Sequence, residues 1–391
     1  MSANNTKKIY FDNAATTPMD SRVLEAMLPF LKENYGNASS LHSFGMVAKD
    51  AIENCRQKMA GFLNVSSDEL IFTSSGTESN NLALKGVAFA NRGKGNHIIV
   101  SSIEHDCILN ACKWLETQGF YVTYLPVDKY GSINVDVLKK YIGPKTLLVS
   151  VMHANNEIGT LQPLEEIGKV CREQNVYFHS DACQSFGKVP LDVRKMNLDL
   201  LTLNSHKIYG PKGVGVLFIK DGVKITPLLH GGGQEYGMRS STENIAGIVG
   251  FVKAAELCLG DLENECKRLS ALRDKLIKTI LNNIENAYLN GHTTQRLPNN
   301  INIGIGGMEG ETIRLLLLLD EEGIAVSAGS ACSNNDKTAS ASHVLQAIGL
   351  NPFEARGSVR ISLGRFSTEE EIDRFLEIFM SSIKKLNPIF R

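Results

Sequence analysis

Thr202-Leu-Asn-Ser-His-Lys-Ile-Tyr-Gly-Pro-Lys-Gly-Val-Gly215 is the stretch on which the fold turns. The apolar run 200–203 reads as a buried strand. It delivers small polar residues and then His206-Lys207. A turn built from Gly210, Pro211 and Gly213 leads into a second apolar run, 214–219. A lysine at the end of a buried strand costs stability, because an unpaired ammonium is expensive to bury. The same desolvation favours the neutral amine, which attacks aldehydes. The alternative is an ordinary surface lysine in a loop, which is where most lysines sit.

Around this stretch the sequence alternates. Strand patterns at 97–101, 121–126, 146–152, 176–180, 198–203 and 214–219 are interleaved with helical spacing at 112–118, 135–141 and 164–174. Helical patterns also cover 20–33, 48–63 and the segment after Thr73. Repeated βα units predict a mostly parallel sheet with helices on both faces, and ligands in such sheets gather at the carboxyl ends of the strands. Beyond a long charged amphipathic helix predicted over 254–283, strands at 300–305, 324–327 and 359–362 mix with helices at 311–319, 342–348 and 368–385. That part reads as a smaller α+β domain.

Composition narrows the function classes. With 391 residues, 43% of them hydrophobic and 21% charged, the chain has room for two ordinary globular domains. A formal net charge of −1 gives no electrostatic footprint for nucleic acid or an anionic membrane. The polar start, residues 1–8, lacks a secretory signal, and the longest aliphatic run, 315–319, is too short to span a bilayer. Eight cysteines with no Cys-x-x-Cys pair and no zinc spacing read as reduced cytoplasmic thiols.

The residues just past each strand are the informative ones. Ser74, Ser75, Gly76 and Thr77 join a strand to a helix, where backbone N–H groups can cradle a phosphate; an ordinary N-cap is the competing reading. His105 follows the second strand, Asn156 the fourth, Asp181 and Gln184 the fifth, and Ser205, His206 and Lys207 the sixth. Each has a bland explanation as a capping residue. Together with a reactive amine they fit pyridoxal phosphate (PLP), which needs a lysine for its aldehyde, an acid for its pyridine nitrogen and a phosphate cradle. Asp181 suits the nitrogen, His105 the ring face and Gln184 the phenolate oxygen. Gly237-Met-Arg-Ser-Ser-Thr242 offers a second anion contact. In the smaller domain, Cys332 stands in a loop of small residues, 327–340. A buried inert thiol is the usual reading for a cysteine, and a nucleophile on an exposed loop is the other. Arg360, among apolar neighbours, calls for a carboxylate.

The motifs TSSGTESNN (73–81), EH (104–105), HANNEIG (153–159), HSDACQ (179–184), SHKIYGPKG (205–213), GGGQE (231–235), GSAC (329–332) and VRISLGRF (359–366) make the chain resemble the cysteine desulfurases. These are PLP-dependent relatives of class V aminotransferases, and the GSAC loop is similar to that of the nitrogenase-type and housekeeping iron–sulfur branch. The resemblance implies a fold-type-I PLP transferase of α/β class. A large domain over 15–257 would hold a mostly parallel seven-stranded sheet; a small α+β domain would comprise 1–14 and 258–391.

The resemblance also implies that L-cysteine becomes L-alanine, leaving a persulfide on Cys332 for an iron–sulfur scaffold protein or other acceptor. Lys207 would carry the cofactor and His105 would shuttle protons. Asn156 and Arg360 would hold the ring or the substrate carboxylate. Gly76, Thr77, Asn204, Ser205, His206 and, from the partner in a homodimer, Thr242 would serve the phosphate. Cys332 would also be a transient iron–sulfur ligand. Asn204, Ser205 and Ser241 depart from the family pattern, where a serine, a glycine or alanine, and a glycine are usual. A selenocysteine lyase, an aminotransferase and a non-catalytic sulfur carrier are the competing readings.

Overall fold

The computed structural model describes residues 8–328 and 341–386. A two-residue strand, β1 (Ile9–Tyr10), precedes two helices, α1 (Ser21–Lys32) and α2 (Ser43–Leu63). Alternation then sets in with β2 (Leu70–Thr73), α3 (Gly76–Ala90), β3 (His97–Ser101), α4 (Asp106–Thr117) and β4 (Tyr121–Leu125). It continues through α5 (Val135–Tyr141), β5 (Thr146–Ser150), α6 (Leu164–Glu173), β6 (Tyr177–Asp181), β7 (Leu200–Asn204) and β8 (Gly215–Ile219). These seven strands form one sheet in the order β2-β8-β7-β6-β5-β3-β4. Every pairing is parallel except the two made by β8, so the other six strands point the same way. Strands such as β5 (TLLVS) and β7 (LLTLN) are buried along their whole length, as a sheet covered on both faces requires.

The covering follows from the helices' apolar stripes. On one face Met27 of α1, Ile52 and Met59 of α2 and Phe251 pack with Phe178 and Phe218 of the sheet. On the other, Leu82 and Val87 of α3 and Leu115 of α4 pack with Ile98, Val100 and Leu217. Then come α7 (Ile245–Leu259), α8 (Leu262–Asn283), β9 (Ala287–Leu289), β10 (Asn300–Ile305), α9 (Thr312–Glu321), β11 (Ile324–Ala325), β12 (Ser327–Ala328), α10 (His343–Ala347), β13 (Ser358–Ser362) and α11 (Glu369–Leu386). The antiparallel sheet β12-β13-β10-β9 packs Ile301, Ile303 and Ile361 against Leu276 of α8 and Phe375 and Phe379 of α11. Ile9 and Phe11 join this cluster, because β1 pairs with β11.

Two expectations need correction. The helix expected over 254–283 is two helices. The first, α7, is buried in the core of the large sheet; the chain turns at Gly260 and Asp261, whose φ/ψ of −131°/24° is not helical, and α8 sets off along the antiparallel sheet. The strand expected over 324–327 is split as well: Ile324–Ala325 pairs with β1, whereas Ser327–Ala328 pairs with β13, so one apolar stretch serves two sheets. The short strand β9 has no counterpart in the sequence reading. Among the described residues no helix is long and apolar enough to cross a membrane.

Candidate active site

Because six strands run in one direction, the loops that follow them meet on one edge of the sheet. There they enclose a cavity of about 210 Å³. Gly76 and Thr77 reach it from the start of α3, His105 from the start of α4, and Asn156 from the turn after β5. Asp181 and Gln184 come from the end of β6; Asn204, His206 and Lys207 come from the end of β7. Nine residues expected at the site therefore line one space.

Capping and site duty prove compatible. The Ser75 hydroxyl caps α3 by accepting from Glu78 N at 3.1 Å, while Gly76 and Thr77, in the first turn, have N–H groups with no intrahelical acceptor. That pair is a ready anion site at the end of a 15-residue helix. A Cβ at Gly76 would lie 2.6 Å from Cys183 Sγ, so only glycine lets the two elements close up. His105 caps α4 by accepting from Cys107 N through Nδ1 at 3.2 Å, which leaves the proton of the neutral ring on Nε2. In the next loop the turn is closed by Asn155, whose Oδ1 accepts from Glu157 N and Ile158 N. Its neighbour Asn156 is thereby left to face the cavity.

Asp181 is buried, and both its oxygens are held. Oδ1 accepts from Cys183 N at 2.8 Å, and Oδ2 accepts from the Asn80 amide at 2.6 Å. Glu104, wholly buried behind His105, has its carboxyl pushed well up by burial and then by the charge of Asp181; its Oε1 accepts from Met152 N at 2.6 Å. Burial, followed by the charges of Lys207, Lys188 and Lys212, brings His206 down to about 4, so its ring is neutral. His206 Nδ1 lies 3.1 Å from Thr16 Oγ1, and Nε2 lies 3.3 Å from the Asn204 amide nitrogen. Lys207 Nζ donates to the carbonyls of Ala14 and, at 2.8 Å, Ala15. Thr17 bonds His206 O and Tyr209 N, so the polar segment after β1 pins the lysine loop in place.

Three expected residues among those described do not line the cavity. Ser205 is buried at the point where β7 ends and the turn begins, its Oγ without a partner among the described residues. Thr242 is exposed elsewhere on the surface. Arg360 is buried beside the cavity and donates to Asp12 Oδ1 at 2.9 Å and to the Asn156 carbonyl at 3.3 Å. Cys332, with its suggested metal role, lies outside the described residues, among which no cluster of metal-ligating side chains occurs.

Sequence reasoning missed Asn80, Cys107, Met152 and Cys183, which also line the cavity. Asn80 was within reach: it stands four residues after Gly76, one helical turn along the same face.

The residues fit PLP. A buried carboxylate faces the same space as a lysine amine and a helix N-terminus. The sequence profile of the Aminotransferase class-V family matches residues 9–375. A protein of Methanosarcina thermophila named cysteine desulfurase IscS is 52% identical over 97% of this chain and 93% of its own. One of the same name from Dictyoglomus turgidum is 50% identical over 98% and 96%. A solved NifS-like protein has a TM-score of 0.90 at 40% identity, over 97% of this chain and 100% of that one. A structure of SspA in complex with cysteine gives 0.80 at 38% identity, over 93% and 100%. A profile spanning nearly the whole chain, together with a lysine, a carboxylate and an imidazole on one sheet edge, makes this chain a member of the aminotransferase class-V family.

Proposed function

We propose that the chain removes sulfur from L-cysteine, releases L-alanine and passes the sulfur on through Cys332. It is a PLP-dependent cysteine desulfurase of fold type I and supplies sulfur for iron–sulfur cluster assembly. The observation that carries this reading is the shared cavity of Lys207, Asp181 and the start of α3. When bound, PLP supplies the electron sink for the substrate's α-carbon.

The chain's own groups do the rest. Lys207 would attach to the cofactor's aldehyde carbon, and Gly76, Thr77, Asn204 and His206 would hold the phosphate. Asp181, held in place by its two donors, would pair with the pyridine nitrogen and keep it protonated. His105 would shuttle protons: the neutral ring carries its proton on Nε2, so it gives from Nε2, and it takes a second proton only when Nδ1 lets go of Cys107 N. Arg360, oriented by Asp12, would grip the substrate carboxylate beside Asn156. Cys332 would attack the substrate sulfur, carry it as a persulfide, and serve as a transient iron–sulfur ligand during hand-over.

The proposal extends to a cytoplasmic homodimer that delivers sulfur to a scaffold protein or other acceptor. Leu24, Leu28 and Leu31 form an exposed stripe on α1, and Phe44, Met46 and Val47 are exposed at the start of α2; such a surface supports self-association. Thr242, exposed and away from its own cavity, would then serve the partner's phosphate. The domain division proposed is 15–257 against 1–14 with 258–391.

The test is to incubate purified holoenzyme with L-cysteine and quantify alanine and persulfide. Wild type should release alanine, and Cys332→Ser should shift the cofactor absorbance on adding cysteine yet release none. Sustained turnover by Cys332→Ser, or labelled sulfur on Cys107 or Cys183, would sink the assignment.

A further inference from the structure

A second cavity, of about 170 Å³, lies behind the lysine loop, where the core of the large sheet meets that of the antiparallel sheet. It shares no lining residue with the first. Most polar groups around it are satisfied. Arg365 donates to Asp20 Oδ2 at 2.9 Å and to Cys258 Sγ at 3.0 Å. Glu265 is held by Arg268 at 2.8 Å, and Cys266 Sγ donates to Lys188 O at 2.7 Å.

Two groups are left over. Lys188 Nζ, a donor, and Asn299 Oδ1, an acceptor, have no partner among the described residues, although these residues are only 7% and 3% exposed. An unpartnered buried donor or acceptor carries its full desolvation cost, so both call for a ligand or solvent. Burial, with the charge of Lys207 second, brings the Lys188 amine down to about 7, so a negative neighbour would readily protonate it.

The lining is bipolar, and that selects the ligand. Arg22 stands on the same wall system as Asp261. A simple anion would satisfy Lys188 but offend Asn299 Oδ1 and Asp261; a simple cation would do the reverse. We propose that this cavity binds a small zwitterionic α-amino acid, its carboxylate on Lys188 and its ammonium on Asn299 Oδ1. Leu257, Leu262 and Leu269 supply an apolar wall for a short side chain. L-Alanine, which the reaction releases, has the required shape and charges.

The experiment follows Lys188 itself, in the holoenzyme, by trace acetylation with acetic anhydride and peptide mass spectrometry. Two zwitterions serve as probes: L-alanine, and sarcosine, whose secondary amine does not exchange onto the cofactor. Acetate and phosphate serve as anions. At ten times Kd either zwitterion should slow acetylation of Lys188 about tenfold, sarcosine without changing the cofactor absorbance. Acetate and phosphate should protect far less, and Asn299→Leu should abolish protection by sarcosine. Protection by alanine alone would trace the effect to the active site and overturn the proposal. Equal protection by acetate would make the cavity an anion site, and no protection would leave no site; either result overturns it. The wild-type measurements need no variant, so poor folding of Asn299→Leu does not shelter the idea.

Discussion

Asn80 holds Asp181 Oδ2 at 2.6 Å and also approaches Cys107 Sγ at 3.2 Å, from the first turns of α3. A hydrogen bond to a charged group contributes about 1.5–3 kcal/mol, so Asn80→Ala should weaken PLP retention by roughly ten- to a hundredfold. Dialysis followed by cofactor absorbance measures this; retention within about twofold of wild type would show that Asp181 does not depend on Asn80. Ser241 makes the opposite case. It sits at φ 153°, a region that favours glycine, with its N–H on Gln234 Oε1 at 3.2 Å. Ser241→Gly should raise stability by about 1 kcal/mol, read as an upward shift of the urea midpoint. Asn204 Oδ1 has no partner among the described residues and lies beside neutral His206. Turning that amide would let Oδ1 accept from the ring and aim both donors at a phosphate. Site residues at strand ends were legible in the sequence because parallel sheets collect ligands there. Ser205 falls outside the cavity because the chain turns just after Asn204, which residue pattern does not encode, and Asn80 was missed because helix packing, not the strand pattern, sets which of its faces meets the site.

The loop 231–237 is fixed by one buried ion pair rather than by its own glycines. Arg56 of α2 donates both terminal nitrogens to Glu235 at 2.8 Å and also bonds Leu70 O, while Glu235 accepts from Phe72 N at 2.7 Å. One pair thereby ties α2, β2 and the loop together, and Glu235 and Tyr236 take left-handed φ values of 49° and 56° to reach it. Removing one partner strands a buried charge, so Arg56→Met should cost about 3–5 kcal/mol. Arg56→Lys keeps the charge but loses the two-pronged contact, and it should fall between Arg56→Met and wild type in a urea titration. Equal midpoints for Arg56→Met and wild type would mean that the loop is held otherwise. Elements were readable wherever period alone decides them, as in β3, α5 and β10. The helix over 254–283 was read as continuous because Gly260 fits a helix; the break comes from two cores pulling α7 and α8 in different directions, which local pattern does not encode. Strand pairing split 324–328 for the same reason.

At the scale of the molecule, buried titratable groups pull stability in opposite directions with pH. Burial raises Glu157 from 4.5 to about 7, despite the Ser342 hydroxyl it accepts at 2.5 Å and the charge of Arg360. Between those values the folded chain keeps a proton that the unfolded chain has lost. Its contribution therefore falls as pH rises from 4.5 to about 7, then stays level. His179, bonded to Ser150 and Thr202 across three strands, is lowered by burial from 6.5 to about 4. Here the unfolded chain takes up the proton first, so stability present above 6.5 is lost as pH falls toward 4. Each shift corresponds to roughly 3 kcal/mol, with opposite sign; Glu104 joins the falling side, and His153 and His206 join the rising side. Across mildly acid pH these slopes partly cancel in the wild type, and single substitutions should unmask them. Glu157→Gln removes the falling component, so relative to wild type its urea midpoint should climb between about pH 5 and 7. His179→Gln removes the rising one, and its midpoint should decline relative to wild type over the same range. Curves that run parallel to wild type in both variants would mean that these groups titrate in the folded chain as they do in the unfolded one.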